Sequence, residues 1–297
     1  MRMIPSAAAL AVALSLCPAP AFAEEQPQRA DGSTITVTGV RDVEKEARDF
    51  VNALTPAAID GNIARFEENV CPRVIGAAPG QAAIMEQRLR TVAKAVGLHL
   101  GKDRCTPNAL MIITTDKRAL IEALQKRGDY FGELITPSQI RRLARDPGPS
   151  AFWRLEGFVT AFGVPLRPND GEPFDYQQNN SRASRISTGT RRAVDGAILI
   201  VEARALDGLT TIQLADYGAM RLYGSADPAE LTGSAPTILR ILTTEMGAEV
   251  PITMTRWDLS FLRGLYASSE NLRAPGQRGE IRRRLLKELS RGEESRQ

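Results

Sequence analysis

"AILIVEARALDGLTTIQLADYGAMRLYG", residues 197–224, decides how the chain is read. Ala197 to Val201 are apolar without a break, as in a strand covered on both faces. After the Asp207-Gly208 break, residues 209–223 read as a helix. At 100° per residue, Leu209, Ile212, Met220 and Tyr223 share one face, with Gln213 and Asp216 in its middle; the other side holds Leu214, Gly218 and Leu222. A helix that is apolar on both sides is buried, and polar side chains inside it need partners. Gln213 and Asp216 lie three residues apart, so they can meet each other or a ligand.

Toward the N-terminus, the pattern alternates strand and helix. Helices are predicted over 43–54 and over 79–96, where Met85, Leu89, Val92, Ala93 and Val96 recur at helical spacing before Gly97. "NVCPRVIG" and "ALMIITT" (109–115) read as strands, and "DKRALIEALQKRG" opens on Asp116 as an N-cap and closes on Gly128. One short helix is expected within 128–150, then a strand over 152–163. The Pro-, Asn-, Asp- and Gly-rich run 164–181 reads as a long loop, and "SRASRIS" and "DGAILIVEARAL" as strands joined by "STGTRRAV". Toward the C-terminus, helices are expected at 236–246, at 256–266 and after Pro275. The second of these carries an acidic capping box, Thr255 with Asp258. The fold class is therefore α/β (α+β): a mixed sheet with covering helices and a helical C-terminal part. The expected divisions are a signal peptide 1–23, a flexible leader 24–42, an N-terminal α/β part 43–170 and a strand-then-helical part 171–297, the last two separate or continuous.

The chain begins "MRMIPSAAALAVALSLCPAPAFAEEQ": Arg2, an apolar core from Ala7 to Leu16, and small residues at Ala21 and Ala23 predict export with cleavage after Ala23. That core is shorter than the roughly 20 residues a bilayer requires, and no later segment reaches that length. No transmembrane segment is expected, and the protein is assigned to the periplasm or secreted space. The leader removes one arginine and no acid, so the whole chain's +3 becomes +2, a balance that gives no footing for nucleic acid. With 43% hydrophobic residues the body should be globular. Cys71 and Cys105 are the two cysteines left after cleavage. An even count in an oxidising compartment predicts a disulfide, which would stabilise the fold by about 3–4 kcal/mol on the chain-entropy model. Two buried free thiols are the alternative; a zinc site lacks the ligands.

The succession of "AILIV", the helix "IQLADYGAMRLYG" and "MTRWDLSFLRGLYASSENLRAPGQ" resembles a group of exported bacterial proteins of unknown function that are themselves similar to zinc metalloproteases of the zincin fold. The resemblance covers roughly residues 70–275 in element order and implies a zincin-like mixed sheet. In zincins a helix at this point carries His-Glu-x-x-His; here Gln213 and Tyr217 would stand at the histidines and Leu214 at the glutamate. Two imidazoles one turn apart hold the metal there and the glutamate activates its water, so the resemblance implies a scaffold without that chemistry. His99 is the only histidine in the chain, far from this helix.

Other candidates are fewer. Gln213, Asp216 and Tyr217 form a candidate polar site; no catalytic residue, metal or cofactor is assigned. Arg182, Arg185, Arg191 and Arg192 would line an anion-binding patch if their strands lie side by side, or else form a solvated face. "STGTRRAVDG" is no Walker loop, since the Gly-Lys-Ser/Thr ending is missing. "TITVTGVR" (34–41) is similar to TonB-contacting segments of outer-membrane receptors, but without a following barrel a short edge strand or tether is preferred. The terminal "RRRLLKELSR" suits either an anionic membrane surface or docking on the body. The reading is an exported, non-catalytic binding protein for an envelope component. A hydrolase built around Asp216 and a TonB-linked accessory protein are the alternatives.

Overall fold

A computed structural model describes residues 42–55, 61–166, 168–169, 172–176, 189–224, 226–244 and 249–294, with backbone alone for 168–169, 172–176 and 292–294. The expected signal peptide, the leader up to residue 41 with its 34–41 strand, the 181–187 strand, and Arg182 and Arg185 lie outside the described residues.

Helix α1 (Val43–Leu54) starts where the Asp42 carboxylate accepts from Lys45 N at 2.9 Å, satisfying one of the backbone donors a helix start leaves free. Strand β1 (Pro72–Ile75), helix α2 (Pro79–Ala95), strand β2 (Ala109–Thr114) and helix α3 (Lys117–Arg127) follow as two strand–helix units. Asp116 caps α3 through Ala119 N, and Gly128 ends it at φ 85°, a conformation that costs a glycine little. Helix α4 (Pro137–Arg145) opens on a capping box of Thr136 and Gln139. Strands β3 (Ser150–Thr160) and β4 (Pro165–Leu166) form a hairpin, β5 (Pro168–Asn169) and β6 (Glu172–Tyr176) a separate small ladder. Strand β7 (Thr190–Glu202) and helix α5 (Thr211–Gly224) carry the decisive stretch, and α6 (Arg256–Ala267) and α7 (Ala274–Glu294) complete the chain.

The main sheet runs β1-β2-β7-β3-β4, with β1, β2 and β7 parallel and β3 and β4 antiparallel to their neighbours. Because β7 sits between β2 and β3, residues on both sides of position 170 share one sheet, and 41–297 form one compact unit. Alternation along the strands sends Met111, Ala197, Leu199 and Val201 to a face covered by α1, α2, α5, α6 and α7. Ile198, Ile200, Ala151 and Trp153 go to the opposite face, under α3 and α4. Phe50 of α1 meets Trp257 and Phe261 of α6 edge to face, at 5.4 and 6.0 Å between ring centroids.

Three expectations are corrected. The run 164–181, read as a long loop, contains β4, paired with β3, and the β5–β6 ladder. "STGTRRAV" does not join two strands: its residues from Thr190 belong to β7, paired with β3. A bulge allows this, since Leu155 faces Gly196 and Glu156 faces Val194, leaving Asp195 as the extra residue. The helix expected at 236–246 is a short 3-10 turn, Ile238–Leu242. Its start is fixed from another element, since the buried Asp258 carboxylate of α6 accepts from Thr237 Oγ1 and from Ile238 N at 2.9 Å.

Cys71 and Cys105 are bridged, with Cα atoms 6.0 Å apart. The bridge ties the entry of β1 to the loop before β2. Gly101 lies against it: a Cβ there would come within 2.7 Å of Cys105 Sγ, so the loop needs glycine at that point.

Candidate functional site

Every residue of α5 from Gln213 to Gly224 is buried. Gly218 lets the helix approach the sheet, since a Cβ there would fall 2.8 Å from Met111 Sδ. A helix buried this fully must find internal partners for each polar side chain it carries, and the two halves of α5 do so differently.

In the first half, Gln213 and Asp216 do not bond each other; both hold the segment 251–254. Gln213 Oε1 accepts from Thr210 N at 2.9 Å and Thr210 Oγ1 at 3.1 Å, and Nε2 donates to Pro251 O at 2.8 Å. Asp216, fully buried, accepts from Arg88 Nε at 2.6 Å and Nη2 at 3.0 Å, from Thr253 Oγ1 at 2.7 Å and from Met254 N at 2.7 Å. Four donors on two oxygens fill a carboxylate's capacity. The same contact raises Arg88 above its ordinary pKa, the Asp216 hydrogen bond being the largest cause. Asp216 is sealed from solvent, and Gln213 is only 6% exposed, so neither side chain lies open to a metal or substrate.

Tyr217 turns away from that pair. Its Oη lies 3.1 Å from Ser150 Oγ at the start of β3 and accepts from Arg221 Nη1 at 2.9 Å. The Tyr217 and Phe152 rings and the Arg221 guanidinium border a cleft of about 480 Å³ between α4, the first residues of β3, the end of α5 and the segments 227–229 and 242–243. Arg221 is only 7% exposed, with Cζ 5.1 Å from the Phe152 ring centroid and 5.8 Å from that of Tyr217. No carboxylate of the described residues lies within ion-pair distance of it, and its buried Nε has no hydrogen-bond partner. A buried charge without a counter-ion is costly, and natural arginines in such places are nearly always paired. At the cleft mouth stand exposed Arg142, Asp146 and Asp227; both carboxylates cap local turns, through Gly148 N and Ala229 N. The cleft therefore has a cationic floor, flat aromatic walls and apolar sides from Ile135, Leu143 and Leu242.

The other candidates sit apart from this cleft. Arg191 is buried among the Glu67 carboxylate, which it grips at 2.9 and 2.8 Å, Thr160 O and Asn271 Oδ1. Arg192 bonds Glu156 at 3.1 Å and lies over Phe158. As neighbours on a strand they leave β7 in opposite directions, so these two do not share a patch. His99 is exposed after α2, and its backbone carbonyl accepts from Val70 N. Asp195, the bulge residue, lies against Gly157, where a Cβ would crowd its carboxylate. Partial burial first, then the carboxylates of Glu68, Glu156 and Glu67, push Asp195 above the usual carboxylate pKa. Among the described residues no three His, Cys, Asp or Glu side chains converge as metal ligands would.

Fold and cleft together define a mixed α/β protein with a buried spine helix that presents to a cleft an arginine with no counter-ion among the described residues. No family model, curated protein or solved structure matches the chain.

Proposed function

We propose that the protein is an exported, non-catalytic binding protein of the periplasm or cell envelope, zincin-like in outline, and that the cleft at the Tyr217–Arg221 half of α5 is its ligand site. One observation carries the reading: Arg221 is a buried cation with no counter-ion among the described residues, bordered by two rings in a cleft of ligand size. Binding pockets of this kind are apolar with a few placed polar groups. Export is supported by the leader pattern of residues 1–23 and by the Cys71–Cys105 bridge. Among the described residues no helix is long and apolar enough to cross a membrane.

The hydrolase alternative would need Asp216 in a cleft with further ionisable groups. Its four hydrogen bonds and complete burial favour the binding reading instead. In a zincin-like alignment Gln213 and Tyr217 take the ligand positions, and a neutral amide and a phenol are weak substitutes for imidazole.

Hydrogen–deuterium exchange on the mature protein, with and without envelope extract, tests the reading. Protection is expected at 148–153 and 217–221. Protection confined to other segments, or a hydrolytic activity lost in Asp216→Asn, would overturn it.

A further inference from the structure

One wall of the cleft is a stretch of sheet edge that the described residues leave unpaired. Glu202 N donates to Pro149 O at 2.8 Å, and Ala197 N donates away from β3 to Asn108 O at 2.8 Å. In an antiparallel pair the hydrogen-bonded positions alternate, and with the register Ser150↔Val201, Phe152↔Leu199 and Arg154↔Ala197 both bonds set the same phase. Pro149, Ala151 and Trp153 address β7, while the backbone N–H and C=O of Ser150, Phe152 and Arg154 point outward. On that side β4 pairs only with Phe158 and Val159. No hydrogen bond from the described residues reaches the backbone of Ser150 or Phe152 on the free edge, and Ser150 to Trp153 line the cleft. A backbone edge left without partners in this way is a template for a further strand.

We infer that the cleft binds an extended peptide by its C-terminal end, the peptide backbone adding as a strand to the free edge of β3 and its terminal carboxylate pairing with Arg221. The inference rests on the cleft being the ligand site. Arg221 supplies the charge match, because a planar guanidinium already bordered by aromatic faces accepts a carboxylate in two-pronged fashion. Tyr217 Oη, which accepts from Arg221 Nη1 and is hydrogen-bonded to Ser150 Oγ, stands with that hydroxyl beside the point as a further polar partner. The edge from Ser150 to Trp153 is about 10 Å long at the usual strand rise, the reach of three to four extended residues. Side chains alternating along such a peptide would fall on the two sides of the sheet. One set meets Phe152 and Arg221, the other Trp153 and Leu143, all of which line the cleft. This is strand addition, in which main-chain bonds give affinity and alternate pockets give selectivity.

The test is titration of the mature protein with a library of acetylated tetrapeptides of Ala, Val, Leu and Phe, as free acids, as C-terminal amides and with alternate backbone N-methylation. Hexanoate serves as a carboxylate with no backbone. The free acids are expected to bind at least tenfold tighter than the amides and the N-methylated forms, and Arg221→Gln is expected to erase the acid–amide difference. Its melting profile checks that this variant is folded; a second variant, Tyr217→Phe, which keeps the ring, should weaken the acids while sparing the amides. Hexanoate binding as tightly as the peptides would overturn strand addition, and acids and amides binding alike would overturn the role of Arg221. Failure of every probe, with envelope extract still protecting 148–153 and 217–221 from exchange, overturns this inference alone. Failure of the probes together with loss of that protection overturns the ligand site as well.

Discussion

Asp216 and Arg221 are five positions apart on one helix and stand in opposite conditions. Among the described residues Asp216 has four donors and no solvent, while Arg221 has one hydrogen bond and no counter-ion. Truncating one member of a buried ion pair strands the other, so Asp216→Ala is expected to cost about 3 kcal/mol, the lower end of the usual range because Arg88 can reach water. Urea unfolding measures this, and a change below about 0.5 kcal/mol, the size of an ordinary surface substitution, would remove the structural role. Asp195 gives a pH-dependent case. Its folded pKa lies above the usual carboxylate value, so the folded state binds the proton more tightly, and ionised Asp195 costs stability at neutral pH. That cost is relieved as pH falls through the raised pKa. Asp195→Asn should therefore melt higher than the wild type at pH 7 and lose the advantage in acid; equal melting temperatures at both pH values would contradict the account.

At the scale of elements, local chemistry shows why some of the fold was legible and some was not. Thr255 with Asp258, Asp116 with Gly128 and the apolar run 197–201 are signals contained within a few residues, and the structure forms those elements. The 3-10 turn at 238–242 and the continuation of β7 through Thr190–Ala193 depend on partners far along the chain: Asp258, which accepts from Ile238 N and Thr237 Oγ1, and β3 with its bulge. No short-range pattern contains them. Thr255 also reaches Pro236 O at 2.8 Å, so it caps α6 and holds the segment before the turn. Thr255→Ala should destabilise by about 1–2 kcal/mol, measured by thermal unfolding; no loss would mean that the cap contributes nothing. The disulfide joins two other elements, and Cys71→Ser with Cys105→Ser is expected to lower stability by about 3–4 kcal/mol. Free-thiol labelling of the denatured, unreduced wild type that recovers both cysteines would rule the bridge out.

Across the whole molecule, one helix serves as spine and as floor of a cleft. Its burial was readable from the apolar residues on both its sides, and so was the need of Gln213 and Asp216 for partners. What the pattern did not yield was which partners: Arg88 comes from α2, and Pro251, Thr253 and Met254 from a loop that approaches only in the folded chain. The cleft was also hidden, because α4, β3 and 227–243 meet only in three dimensions, although a charged residue at 221 in a helix apolar on both sides was a signal in plain view. The account holds that Arg221 is kept for a ligand and not for the fold, and a residue kept for function at the expense of stability can be replaced with a gain in stability. Thermal unfolding of Arg221→Met without added ligand tests this most directly, since methionine fills similar space without charge. The account predicts a melting temperature about 2–4 °C higher, as removal of roughly 1 kcal/mol of uncompensated charge burial would give in a body of this size; a melting temperature several degrees below that of the wild type would contradict it.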